Sequence, residues 1–142
     1  MATSGDLERL RDLHFAWKKG CQEILPKVNP TFIADLIDRQ RQGHHEPIYM
    51  LEMFTKSGLD SQKIRNEIEA KTGFSPDIYD HGTHYVTNQK MTLELLKRIS
   101  DHEEVIAIEG DYTGAITGLG PSHNWDQVRA RMGIRDSYTY QY

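Results

Sequence analysis

The stretch Ile48-Tyr49-Met50-Leu51-Glu52-Met53-Phe54 carries apolar side chains at both alternating sets of positions. That is the pattern of a strand buried on two faces. On its C-terminal side, Ser57-Gly58 reads as a turn. Asp60 caps a helix carrying Ile64, Ile68 and Ala70, and Gly73 ends it. Residues Phe74 to Asp80 read as a weak strand, which Pro76 assigns to a sheet edge. His81-Gly82-Thr83 suits a hairpin turn, and His84-Tyr85-Val86-Thr87 a short strand. Thr92 caps a helix through Leu93, Leu95, Leu96 and Ile99. Val105-Ile106-Ala107-Ile108-Glu109 is a third strong strand. The order is β-α-β-β-α-β across residues 48–112, the ferredoxin-like arrangement of an α+β fold. It predicts the first and third strands at the centre of the sheet and two helices on one face. The other face needs a cover: the N-terminal helices, a second copy of the chain, or a partner.

On the N-terminal side, Leu7, Leu10, Leu13, Trp17, Cys21 and Ile24 recur at three- and four-residue spacing, one stripe of a helix. Ser4 or Asp6 is placed to cap it and Pro26 to stop it. Asn29-Pro30 reads as a cap followed by proline at the first helical position. The stripe Phe32, Ile33, Leu36 and Ile37 follows, and Gly43 supplies a C-terminal stop. Residues 6–43 are therefore expected to form a helical hairpin. Beyond Asp111 comes a glycine-rich loop, then a short helix capped by Asn124 and carrying Trp125, Val128 and Met132. Residues 113–142 thus read as a loop, a helix and a tail.

The chain has 142 residues, a net charge of −4 and a single cysteine. That length suits one domain. The acidic balance argues against a nucleic-acid partner, and no apolar run is long enough for a membrane span. No disulfide can form within the chain. The N-terminus has no apolar signal-like run, so a cytoplasmic setting is expected. Cys21, on a helical stripe, is expected to be a buried small apolar residue.

The segment from Ile48 to Tyr112 resembles the subtilisin-propeptide-like peptidase inhibitors. The residues that carry the resemblance are His84-Tyr85-Val86-Thr87, Thr92, Leu93, Leu96, the acidic turn Asp101-His102-Glu103-Glu104, and Val105-Ile106-Ala107-Ile108-Glu109-Gly110-Asp111. The resemblance implies a ferredoxin-like core and an inhibitory, non-enzymatic role. Asp80-His81-Gly82-Thr83-His84 is similar to the histidine motif of subtilases, but no Gly-Thr-Ser setting accompanies it, so no protease is expected.

The functional expectation is a protein-interaction or regulatory module, either a propeptide-like inhibitor or an accessory subunit of a larger complex, with a protein partner or a second copy of the chain as its occupant. Its contact surface would be the sheet face with Tyr49, Leu51 and Met53, together with the tail residues Tyr138, Tyr140 and Tyr142. Tyrosine offers apolar area and a hydroxyl at interfaces. No cofactor is expected under this reading. The alternative is a small enzyme or a ligand- or metal-binding protein of the dimeric α+β barrel kind, built on His81, His84, Glu52 and Glu109. His81 and His84 have His-x-x-His spacing, which suits zinc if further ligands converge. Glu52 lies inside an apolar strand and Glu109 ends another. Neighbouring strands would bring these two carboxylates together, shifting a pKa as acid–base chemistry requires.

Overall fold

The computed structural model describes residues 1–115 and 120–134. Its helices are α1 (Ser4–Ile24), α2 (Pro30–Arg41), α3 (Ser61–Thr72), α4 (Leu93–Ser100) and α5 (Trp125–Met132). Its strands are β1 (Ile48–Thr55), β2 (Asp77–Tyr79), β3 (His84–Lys90) and β4 (Val105–Tyr112), in one antiparallel sheet of order β2-β3-β1-β4. The molecule is α+β, and β1 is central. The proline-led strand β2 lies at an edge, as Pro76 predicts.

The caps follow local chemistry. Asn29, Asp60, Thr92 and Asn124 each accept a backbone N–H in the first turn of their helices. Gly73 and Gly133 close α3 and α5 in the left-handed conformation. The cap of α1 differs from the expectation: Thr3, not Ser4 or Asp6, is the N-cap, and Asp6 completes a capping box with it.

One face of the sheet carries Tyr49, Leu51, Met53, Tyr85 and Ile108, packed with Phe32 and Leu36 of α2, Ile64 and Ile68 of α3, and Leu96 and Ile99 of α4. Helix α2 thus joins the same layer as α3 and α4, and α1 reaches it only through Cys21. Gly110 makes this possible: a Cβ there would lie 2.4 Å from the Phe32 ring, closer than atoms can pack. The 27–29 segment runs parallel to β4. Ile108 N–H donates to the Lys27 carbonyl at 2.8 Å and Asn29 N–H to the Ile108 carbonyl at 3.1 Å. A sheet edge is thereby paired rather than left open.

This packing corrects the proposed contact surface. Tyr49, Leu51 and Met53 are 0% exposed beneath the chain's own helices, so they present nothing to a partner. Tyr138, Tyr140 and Tyr142 lie outside the described residues. The second sheet face is covered by a segment the expectation did not consider. Trp125 and Val128 of α5 pack on Phe54 and Ala107, and Trp125 Nε1 donates to Thr83 Oγ1 at 2.9 Å.

A candidate acid–histidine metal centre

Antiparallel register decides which side chains share the α5 face. Glu52 lies opposite Val86 on β3 and Glu109 on β4, Phe54 opposite His84 and Ala107, and Met50 opposite Asn88 and Asp111. Directly paired residues point to the same face. One face of a small sheet therefore holds Glu52, His84, Glu109 and Asp111. The two glutamates are neighbours, as their strands predict, but they do not form one site. Glu109 accepts from Arg131 Nε at 2.7 Å and from Asn29 Nδ2 at 2.8 Å. It serves to hold α5 and the start of α2 against the strand.

Glu52 is the centre of a separate cluster and is 0% exposed. One of its oxygens is 2.8 Å from His84 Nε2, and the other is 2.6 Å from His123 Nδ1. The Ser122 hydroxyl lies 3.2 Å from Glu52 and shares its single hydrogen between Glu52 and Asp111, and the His123 backbone N–H donates to Glu52 at 3.3 Å. The second His84 nitrogen is 2.9 Å from Asp80 Oδ2. Asp111 Oδ2 lies 3.4 Å from His123 Nδ1 and also accepts from Ser122 Oγ. Phe54 stacks on His84 with ring centroids 4.1 Å apart and fixes that imidazole from below.

The turn before β3 sets up this arrangement. Asp80 and His81 both adopt positive φ, 54° and 58°, which is uncommon for residues other than glycine. The turn returns the Asp80 carboxylate to His84, four residues on. His81 sits in the same turn and is exposed. Among the described residues, the acid–histidine ligand atoms that lie close together are those of Glu52, Asp111 and His123. His84 reaches this group through Glu52, and Glu109 is held by Arg131 and Asn29.

Electrostatics favour a cation here. Burial pushes the Glu52 carboxyl up, but hydrogen bonds from His123 and His84 outweigh it and hold it at about 2. The bond to Glu52 raises His123 against the opposing effect of burial. Glu52 thus adds stability above the ordinary carboxylate range, and that contribution is lost as pH falls toward 2. His123 adds stability below the ordinary imidazole range, lost as pH rises through its raised value. The ion pair is complete at mildly acidic pH. Three carboxylates, Glu52, Asp80 and Asp111, face two imidazoles, so the cluster stays at 2 − 3 = −1 even with both histidines protonated.

His123 Nδ1 has a single hydrogen to offer, and carboxylate oxygens of Glu52 and Asp111 both converge on it. Ligand atoms of Glu52, Asp111 and His123 all lie within 4.8 Å of one another. A zinc-sized ion at about 2.1 Å from each would hold its ligand atoms roughly 3–4 Å apart, so small side-chain adjustments suffice.

No family model, curated protein or solved structure matches this chain.

Its chemistry is therefore read from the cluster itself. Glu52 and His84 were singled out from sequence, and the fold brings them into contact. Asp111, Ser122 and His123 were not. Their shared signal was indirect: a capped amphipathic helix beginning at Trp125 must dock on some apolar surface, and the uncovered sheet face was the one available. Docking it there carries His123, two residues upstream, onto Glu52.

Proposed function

We propose that this protein binds a first-row divalent cation through Glu52, Asp111 and His123, on a core of ferredoxin-like arrangement. The observation that carries the reading is the convergence of two carboxylates on the one donor atom of His123. A divalent ion in place of that proton would meet both carboxylates directly, where Asp111 now has the Ser122 hydroxyl and a 3.4 Å approach to His123. Imidazole with carboxylate ligands suits zinc and its neighbours in the first row. Asp80 and His84 supply the outer support that metal carboxylates usually have, since His84 bridges Asp80 to Glu52. Three protein ligands leave at least one coordination position for water or a substrate oxygen, the pattern of catalytic rather than closed structural sites. The side chains of Asp111 and His123 are 46% and 21% exposed, so that position would face solvent.

The strand order and the β-α-β-β-α-β succession support the ferredoxin-like reading of the core. They are also the support for the likeness to propeptide-like inhibitors. A protein-interaction role draws support from a different observation, the exposed apolar stripe of α1.

Titration of the chelator-treated full-length chain with Zn²⁺ tests the metal reading. Saturable binding of one ion per chain by calorimetry is the expected result. Heats indistinguishable from dilution would overturn it.

A further inference from the structure

Helix α1 is unlike the other four. Every residue from 1 to 19 is exposed, and among the helix's residues only Cys21 is buried. Its 21 residues span about 31 Å, and only the C-terminal end packs on the body, through Cys21 with Leu25 just beyond the helix. The stripe Leu7, Leu10, Leu13 and Trp17 is 48%, 64%, 56% and 41% exposed. Helices in proteins draw most of their stability from packing an amphipathic face, and four large apolar side chains in one line are more than scattered surface hydrophobics.

The same stripe runs into a groove. Trp17, Cys21 and Ile24 of α1, Ile33 and Ile37 of α2, and Leu93 of α4 line a mostly apolar depression of about 780 Å³. The molecule thus carries an amphipathic helix without a groove and a groove without a helix, joined end to end along one element. A two-fold axis near the middle of α1 brings the two together. In an antiparallel pair, the projecting Leu7–Leu13 half of each helix lies over the groove of the other. A parallel pair would set stripe on stripe and leave both grooves open.

We infer that α1 is a homodimerisation element, and that its occupant is α1 of a second copy in antiparallel orientation. Such an interface is isologous, since the same patch serves both partners. The exposed stripe and the apolar groove lie on one element, so each copy supplies the occupant of the other's groove. The inference stands apart from the metal reading, because α1 contributes no residue to the acid–histidine cluster.

Sedimentation equilibrium of the full-length chain over a concentration series is the test, run beside the Leu10→Glu/Leu13→Glu double variant. Both substituted side chains are exposed, so the variant keeps its fold, checked by circular dichroism. The wild type is expected to be a dimer at micromolar concentration, and the variant to dissociate at least about a hundredfold more readily. A wild type that stays monomeric throughout the series would overturn the inference. So would a monomer that co-sediments with phosphatidylglycerol vesicles, because α1 would then be serving a lipid surface. A dimer that the double variant leaves intact would place the interface elsewhere.

Discussion

Glu52→Gln is expected to weaken zinc binding at least about a hundredfold while leaving the chain folded. Outer-shell changes already cost 10–100-fold in metal affinity, and Glu52 would be the ligand on which His84, Ser122 and His123 converge. Glutamine keeps the shape and one acceptor oxygen but loses the charge. Its amide also puts a donor where His84 or His123 now meets an oxygen. Comparing the zinc affinity of the variant with that of the wild type checks this, with thermal unfolding of the metal-free forms as the control for folding. An unchanged affinity in a folded Glu52→Gln protein would move the ion to another part of the molecule, the exposed His44–His45 pair being the first place to look.

Trp125→Ala is expected to produce the largest loss of stability. Trp125 is 2% exposed, and with Val128 it holds α5 on Phe54 and Ala107. Large-to-small changes of a buried tryptophan cost about 3–5 kcal/mol, from lost burial and the cavity left behind. The loss also reaches the cluster, because His123 is held over Glu52 by the docking of the helix that begins two residues later. Urea unfolding should show the destabilisation, and zinc affinity should fall with it. Trp125→Phe is the discriminating partner: it keeps most of the apolar contact and loses the 2.9 Å bond to Thr83, so it should cost far less. Stability within about 1 kcal/mol of wild type for Trp125→Ala would mean that α5 does not secure the second sheet face.

The core was readable because its signals are local. The two-sided apolar run at Ile48–Phe54 needs a central strand, and Pro76 needs an edge. Asp60, Thr92 and Asn124 mark helix starts that the structure keeps. The pairing of Glu52 with His84 was also within reach, as both lie on strands of one sheet. What the sequence concealed was long-range docking. The N-terminal helices bear apolar stripes that suit either sheet face, and nothing local says which. Gly110 is the hidden arbiter: only a residue without a Cβ lets Phe32 lie on β4, and that places α2 beside α3 and α4. The second face is then left to α5. The stripe of α1 marks an amphipathic helix without saying what covers it, and most of it remains exposed because α1 reaches past the body it is attached to. His123 sits about 70 residues from Glu52 in a polar loop, with no spacing motif to tie the two together.

The reading of the cluster explains several features with one cause. Glu52, with no exposed surface, and the carboxylates of Asp80 and Asp111 on the far sides of its two imidazole partners together raise the local negative potential. The histidines relieve it in the metal-free protein, and a cation would relieve it further. The strained backbone at Asp80 and His81 then has a purpose, since it returns a carboxylate to the far side of His84. Backbone strain of this kind gathers at functional sites.

The most direct test is diffraction from crystals grown with zinc, with data collected on both sides of the zinc absorption edge. The account predicts one anomalous peak per chain, at coordinating distance from Glu52, Asp111 and His123. A peak elsewhere on the molecule, with His123 still hydrogen-bonded to Glu52, would contradict it.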